Sequence, residues 1–442
     1  MKTVLNNFPS HYDKNRWVIS TLLIFPIIIM CYNALTLPTL FMYDAQAHIS
    51  AIRYFNSTSI IEWLFPKDNS NVIINMYSPI YYAIGGLLLK CFNLSDYWLV
   101  LYLRFIGILF FLFFSFTLLH LIFCFTEKNI FKDSALILSM CCFPGLYVFV
   151  AQVRPEILFM PLLACYLLLF KAQLNFFIII ATAIVLCLIS LTKHSGVSLL
   201  PIMVAALAIK MRHANLSIKF IVIFSSILIA CCLAFYIVKS VQTNGYMFPK
   251  TDYVVKYMEK QKELNRFTMF SNMEFGKLFH TPNRNAQFSD MNNSIFPRLY
   301  GDMWGDHWLY FSGNDIKQDN KVFFKRIAFI AGSFFTMLWF CASILGAFQC
   351  IICLAKRNIP TFFDITAALS FVTLVFLVFT AVFIYSEPGK NSIIKFSYIM
   401  PMALLSIPKM QECITKFIPV KYYAAYLLLV IMLCLPLYIY TK

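Results

Sequence analysis

The sequence predicts an all-α protein that crosses a membrane many times. Of its 442 residues, 60% are hydrophobic, 17% are aromatic and only 13% are charged, and one water-soluble core of this size cannot hide that much apolar surface. Several apolar runs also reach the length of about 20 residues with which a helix crosses a hydrocarbon layer of about 30 Å. Together these observations exclude an ordinary soluble domain and indicate a polytopic membrane protein.

The apolar runs define eleven predicted membrane spans. The first follows a basic N-terminal segment without a small-residue cleavage site, so we expect it to be retained as a signal anchor. A further apolar segment, 77–92, is short and contains Pro79 and a Gly85-Gly86 pair, so it is either a twelfth crossing or a re-entrant outer helix. The eleven spans are expected at 17–37, 103–125, 134–151, 157–170, 175–191, 196–209, 220–238, 327–354, 365–385, 394–408 and 422–440.

The distribution of basic residues decides on which side segment 77–92 lies. If it stays outside, the inward-facing loops hold fourteen basic residues against five acidic ones, in line with the positive-inside rule. If it crosses, every later loop changes sides and the bias mostly reverses. We therefore place 77–92 outside, and we attribute the net charge of +16 to topology and anionic lipid headgroups, not to nucleic acid.

Two long outer segments divide the chain into three parts. We expect residues 1–238 to form a transmembrane module that holds the candidate catalytic residues and a first outer loop, 38–102. Residues 239–326 are expected to form one large extracytoplasmic loop or lid, and residues 327–442 the C-terminal membrane helices.

The strongest candidate for chemistry is the motif YDAQAH, which follows the first span directly. On a helix that begins there, steps of about 100° place His48 near the same face as Asp44. A carboxylate beside a membrane cavity can accept the proton of an acceptor hydroxyl or amine, and His48 can orient it or contact a phosphate. The alternative is that Asp44 caps the helix N-terminus, a role compatible with the first.

Two further motifs place basic side chains at outer helix ends. In the motif RPE, Arg154 suits a phosphate, and the alternative is an ordinary ion pair between Arg154 and Glu156. In the motif TKHSG, Lys193 and His194 put two cationic groups side by side, and the alternative is that Lys193 snorkels to the membrane interface.

A third basic segment, around 386–401, faces outward and so runs against the positive-inside bias. Lys390, Lys395 and Tyr398 are candidates for binding an anionic headgroup or a diphosphate. Snorkelling of the two lysines to the interface is the alternative.

The large outer loop contains the motif GDMWGDHW. Trp304 and Trp308 can stack on a sugar or rest on the membrane interface, and with Asp306 and His307 they are the candidate sugar or acceptor contacts. Asp302, Asp306 and His307 also carry ligand types that suit a divalent ion, so a divalent metal stays an open alternative to an aromatic lid. No other cofactor is indicated.

These motifs together resemble the GT-C superfamily of integral-membrane glycosyltransferases, and most closely its branch of protein O-mannosyltransferases and lipid A aminoarabinose transferases. The resemblance rests on the acid of YDAQAH, the outer helix YSPIYYAIGGLLLKCF and Arg104 in the next span. RPE, TKHSG and KFSYIMP also fall where that branch has outer-face motifs. The chain departs from many members by having Asp44-Ala45 in place of paired acids, and Glu156 is its only candidate for the acid of the second outer loop.

The resemblance implies a GT-C-like fold and transfer of a sugar from a polyprenyl-phosphate donor to a lipid, glycan or protein acceptor. It implies a bacterial inner membrane protein whose site faces the periplasm or exterior. A transporter or flippase of lipid-linked sugars is the alternative, although transporters usually place their charges near the bilayer midplane. The implied catalytic residues are Asp44, His48 and Glu156, and the implied donor phosphate ligands are Arg154, Lys193, His194, Lys390, Lys395 and Tyr398.

Overall fold

The computed structural model describes residues 10–40, 45–59, 62, 79–123, 130–242, 299–300, 303, 319–379 and 399–438. All regular secondary structure in these residues is helical, and several helices are long and apolar, which confirms an all-α polytopic membrane protein. Within the same residues, five helical segments can cross a membrane by length and composition, and a bent pair of helices makes a sixth. The five are Asp96–Ile122, Ser195–His213, Ile218–Val238, Ile330–Ala355 and Phe362–Phe379.

The first half of the chain supplies the elements that surround the candidate site. They are α1 (Ser10–Thr36), α2 (Ala45–Ser57), α3 (Ile80–Phe92), α4 (Asp96–Phe123), α5 (Ile130–Cys141), α6 (Pro144–Val150), a 3-10 turn (Pro155–Leu158), α7 (Phe159–Lys171), α8 (Phe176–Thr192), α9 (His194–Val197), α10 (Leu200–His213) and α11 (Ile218–Gln242).

The C-terminal helices pack directly on this first half. Helix α12 (Asp319–Ala355) packs along α13 (Phe362–Phe379), and α16 (Val420–Tyr438) packs against both α12 and α5. Buried side chains from Leu23 to Ile431 form one contiguous core, so the described parts of the first module and the C-terminal helices share a single interior. The C-terminal elements are α12 (Asp319–Ala355), α13 (Phe362–Phe379), α14 (Met400–Ala403), a 3-10 turn (Leu404–Ser406), α15 (Ile407–Ile414) and α16 (Val420–Tyr438).

The span predicted at 134–151 is broken. Its two parts, Phe131–Cys141 and Pro144–Val150, meet at an angle of 67°. Proline has no backbone N–H and its ring clashes with the preceding turn, so α5 cannot continue through Pro144, which opens α6 instead.

The segment predicted as a span at 394–408 also differs from the expectation. Its described part, from Ile399 onward, consists of the short pieces α14, the 3-10 turn and α15. Pro401 and Pro408 each stand in the first turn of one of these pieces, where a proline is tolerated although it would break a helix interior.

Helices α2 and α3 pack against each other. At Gly85 a Cβ atom would lie 2.8 Å from side-chain carbons of Ile52, so only glycine allows this approach. The 13 residues of α3 span about 20 Å at about 1.5 Å per residue. That length is less than a hydrocarbon layer of about 30 Å, but α7, in the predicted span 157–170, also has 13 residues, so the placement of α3 outside the membrane stays a prediction from charge.

Candidate active site

A buried ionic cluster joins two breaks in the helical bundle. Both carboxylate oxygens of Glu156 accept hydrogen bonds from Arg154, Oε2 from Nε at 3.3 Å and Oε1 from Nη2 at 3.2 Å. Lys193 Nζ also donates to Glu156 Oε1. Glu156 is 1% exposed, Arg154 6% and Lys193 8%, so all three charges are removed from solvent.

Local sequence explains how the two cations reach Glu156. Arg154 has extended backbone angles, φ −160° and ψ 143°, because a following proline disfavours the helical region. Lys193 is also extended, φ −164° and ψ 162°, and stands between α8 and α9. A Cβ atom at Gly196 would lie 2.1 Å from the carbonyl oxygen of Ile189, so the turn that presents Lys193 requires glycine.

The charge balance of the cluster keeps Glu156 ionised. Burial by itself raises the pKa of Glu156, but the charges of Arg154 and Lys193, and the hydrogen bond from Lys193, outweigh burial and hold that pKa well below its usual range. A carboxylate in this state is a weak base and holds no proton at neutral pH. Glu156 therefore holds Arg154 and Lys193 in place as a charged carboxylate.

Arg154 makes several further contacts that fix its guanidinium. Nη1 donates to Gln152 Oε1 at 2.9 Å, and Cζ stands 5.0 Å from the ring centroid of Phe149 in a cation–π contact. The backbone N–H of Arg154 donates to the hydroxyl of Tyr81 on α3. Arg154 is thus held from α3, α6 and the 3-10 turn together.

A contact between α2 and α3 places His48 near the ionic cluster. His48 Nδ1 lies 2.9 Å from the hydroxyl of Tyr82, and the two rings stack with centroids 5.9 Å apart. The rings of Tyr81 and Tyr82 meet edge to face, with centroids 5.5 Å apart. A continuous set of contacts therefore runs from His48 on α2 through the two tyrosines of α3 to Arg154.

A buried arginine fixes the end of the first helix, just before Asp44. Arg104 Nη1 donates to the carbonyl oxygens of Ala34 at 2.9 Å and Leu37 at 2.8 Å, and Nη2 donates to that of Pro38 at 2.6 Å. These are the carbonyl groups that a helix C-terminus leaves without internal partners. Arg104 thus anchors the chain six residues before Asp44.

Helix α4 also packs closely against the segment that carries Arg154 and Glu156. A Cβ atom at Gly107 would stand 2.3 Å from Cδ1 of Ile157 and 2.6 Å from the carbonyl oxygen of Val150. Only glycine lets α4 approach both ends of this segment, which confines residues 151–156.

The structure brings four of the sequence-predicted site residues into one region: His48, Arg154, Glu156 and Lys193. The backbone of His194 belongs to α9, and its side chain lies outside what the structure describes. Within the described ranges, no group of three or more His, Cys, Asp or Glu side chains is placed to hold a metal ion. The remaining predicted site residues lie outside the described residues: Asp44, Lys390, Lys395, Tyr398, Trp304, Asp306, His307 and Trp308.

The sequence predictions did not single out Tyr81 and Tyr82. Both are buried, at 4% and 0% exposure. A usable signal was present, since adjacent tyrosines on an otherwise apolar helix need hydrogen-bond partners for their hydroxyl groups once buried.

Comparisons with known proteins do not assign this chain to a family. No family model, no curated protein and no solved structure gives a significant match to the chain.

Proposed function

We propose that this protein is a GT-C-type glycosyltransferase that moves a sugar from a polyprenyl-phosphate donor to a lipid, glycan or protein acceptor on the extracytoplasmic face of a membrane. The observation that carries the proposal is the buried Arg154–Glu156–Lys193 cluster, connected through Tyr81 and Tyr82 to His48 at the start of α2.

The cluster suits the leaving group of such a transfer. Breaking the bond between the sugar C1 and the phosphate oxygen leaves new negative charge on the lipid phosphate. Arg154 and Lys193 supply two cations against one carboxylate within the described cluster, and burial strengthens their action on a developing anion. Glu156 holds both cations in place before substrate arrives, so they need little reorganisation during the reaction.

Asp44 is the proposed base or acceptor-orienting carboxylate. It directly precedes α2, whose buried face presents His48, and Arg104 anchors the chain shortly before it. Asp44 accepts the proton of the acceptor hydroxyl or amine, the freed electron pair forms the bond to C1, and the phosphate departs toward the cations. His48, held by Tyr82, orients this side of the reaction.

The topology of the proposal is the GT-C-like arrangement of about eleven spans with α2 and α3 as outer juxtamembrane helices. The packing of α2 on α3, with His48 against Tyr82, supports it by keeping these two helices together beside the ionic cluster. The loop 239–326 and the segment 386–401 would add Trp304, Trp308, Lys390 and Lys395 to the acceptor and phosphate sides.

The variant Arg154→Gln tests the proposal when its donor affinity and its sugar transfer are compared with those of wild type. Loss of a charge-assisted contact of about 1.5–3 kcal/mol weakens donor binding by about 10- to 100-fold. Titration of purified protein with labelled polyprenyl-phosphate sugar measures that change, and transfer to membrane extract measures activity at matched folded fraction. Arg53→Gln is the control, because Arg53, on α2, is an exposed arginine that pairs with Asp96 outside the buried cluster.

Two results would overturn the proposal. Equal donor affinity in wild type and Arg154→Gln removes the phosphate role of the cluster. Absence of transfer by wild type from every donor, with protein-dependent movement of lipid-linked sugar across liposomes, would assign a transporter instead.

A further inference from the structure

Two cysteines from different helices face each other beside the candidate active site. Cys232 Sγ on α11 lies 3.6 Å from Cys187 Sγ on α8, with the Cys232 thiol donating to Cys187. Cys232 is fully buried and Cys187 partly buried, and both are free thiols. The contact joins positions 45 residues apart in the sequence, so the fold rather than the local chain creates it.

Polar contacts nearby fix the two helices in this register. Ser190 Oγ lies 2.8 Å from the carbonyl oxygen of Cys187 and 3.2 Å from that of Cys232, so its proton is shared between helices. The hydroxyl of Tyr236 donates to the carbonyl oxygen of Ser190 at 2.6 Å. The two thiols are therefore held in contact by an interface that does not depend on them.

The separation of the sulfur atoms is short enough for a disulfide. An S–S bond is about 2.05 Å long, so from 3.6 Å the sulfur atoms need to approach each other by about 1.5 Å. We expect rotation about the Cα–Cβ bonds of the two side chains, which are already in van der Waals contact, to supply this movement.

We propose that Cys187 and Cys232 form a redox-active dithiol that a membrane quinone oxidises to an intramolecular disulfide. The two S–H bonds break and one S–S bond forms, while the two protons and two electrons convert the quinone to its quinol. The oxidant is lipid soluble because both cysteines belong to strongly apolar helices, α8 and the spanning part of α11.

The disulfide acts on the helix that ends at the ionic cluster. Cys187 precedes Lys193 by six residues, about 9 Å along a helix at about 1.5 Å per residue. Oxidation ties this end of α8 to α11 and restrains the segment from which Lys193 reaches Glu156. The dithiol is thus a modification site whose state restricts motion at the candidate site.

The experiment uses the purified full-length chain and a fully substituted benzoquinone, which oxidises thiols but has no free ring position to which they add. After treatment, free thiols are alkylated, and the protein is digested without reduction and analysed by mass spectrometry. We expect one cross-linked peptide pair joining Cys187 to Cys232 and one quinol formed per chain. Reduction with a phosphine should release both peptides.

Matched variants identify the sulfur atoms. Cys187→Ser and Cys232→Ser should each abolish the cross-link and the quinol. Cys231→Ser should leave both unchanged, because Cys231 is adjacent in sequence but exposed on the outer surface of α11. Recovery of Cys187 and Cys232 alkylated after quinone treatment of the folded wild type, or a cross-link through Cys231, would overturn the inference. These measurements do not depend on sugar transfer, so they stand apart from the proposed function.

Discussion

Replacing Glu156 with glutamine should destabilise the protein strongly, because it leaves two buried cations without their carboxylate. Removing one partner of a buried ion pair costs about 3–5 kcal/mol. Glutamine keeps one acceptor oxygen, so we expect the lower end, about 3 kcal/mol, or a factor of about 100 in the folded-to-unfolded ratio. Unfolding by sodium dodecyl sulfate in mixed micelles, followed by circular dichroism, measures this change.

A double-mutant cycle with Lys193→Met tests whether the cost arises from the pair itself. Removing both partners leaves less uncompensated charge, so the double variant should be more stable than the sum of the single effects predicts, by about 1–3 kcal/mol. Additive effects would refute the reasoning. Asp96→Asn is the control, since its ion pair with Arg53 is 42% to 58% exposed and should contribute no more than about 1 kcal/mol.

The stability difference between wild type and Glu156→Gln should depend on pH, and the pKa of Glu156 sets the direction. The pKa of Glu156 is depressed in the folded state below its ordinary value of 4.5, so its stabilisation is complete above that value. It is lost only as the pH falls through the lower folded-state pKa. The stability difference between wild type and Glu156→Gln should therefore be equal at pH 8 and pH 6 and should shrink in strong acid.

Three further substitutions test other parts of the structure in the same unfolding assay. Gly107→Ala should cost about 1–3 kcal/mol, because its Cβ would stand 2.6 Å from a backbone oxygen that cannot rotate away. Tyr82→Phe should cost about 1 kcal/mol through loss of the hydrogen bond to His48. Lys409→Met should cost about 3 kcal/mol, since Lys409 Nζ lies 2.8 Å from buried Asp364.

The substitutions at Gly107 and Lys409 each have a milder counterpart in the same chain. At Gly86 a Cβ would meet a ring carbon of Phe55 at 3.0 Å, and that side chain can shift, so Gly86→Ala should cost less than Gly107→Ala. Lys416→Met removes a 61% exposed partner of Glu412 and should change stability by no more than about 1 kcal/mol. Equal effects within either pair would contradict the assigned packing.

The membrane class could be predicted from composition, whereas breaks in the helices could not be predicted from apolarity alone. Residues 134–151 form one continuous apolar run in the sequence. Their mean hydropathy does not show that α5 ends at Cys141 and that Pro144 begins α6. Pro401 and Pro408 act similarly in the segment predicted at 394–408. In each case a proline indicates the helix break, but an average of hydropathy over the segment does not take the proline into account.

In the candidate site, contacts between residues close in the sequence could be predicted, whereas contacts between distant residues could not. The Arg154–Glu156 pair was open to prediction because only Pro155 separates the two residues. The contact of Lys193 with Glu156 spans 37 positions and depends on how α8 packs beside the 3-10 turn, which no local pattern encodes. Lys409 is one of the fourteen basic residues in the predicted inward-facing loops, and that pattern does not indicate the buried pair that it forms with Asp364.

The most direct test of the account is sugar transfer by Asp44→Asn compared with wild type, using radiolabelled polyprenyl-phosphate donors and membrane extract at matched folded fraction. Asp96→Asn is the control, because it removes another acid from this part of the chain, one that is exposed and paired with Arg53. The account predicts that transfer is lost in Asp44→Asn, while donor binding persists and Asp96→Asn stays active. Full transfer by Asp44→Asn would contradict it.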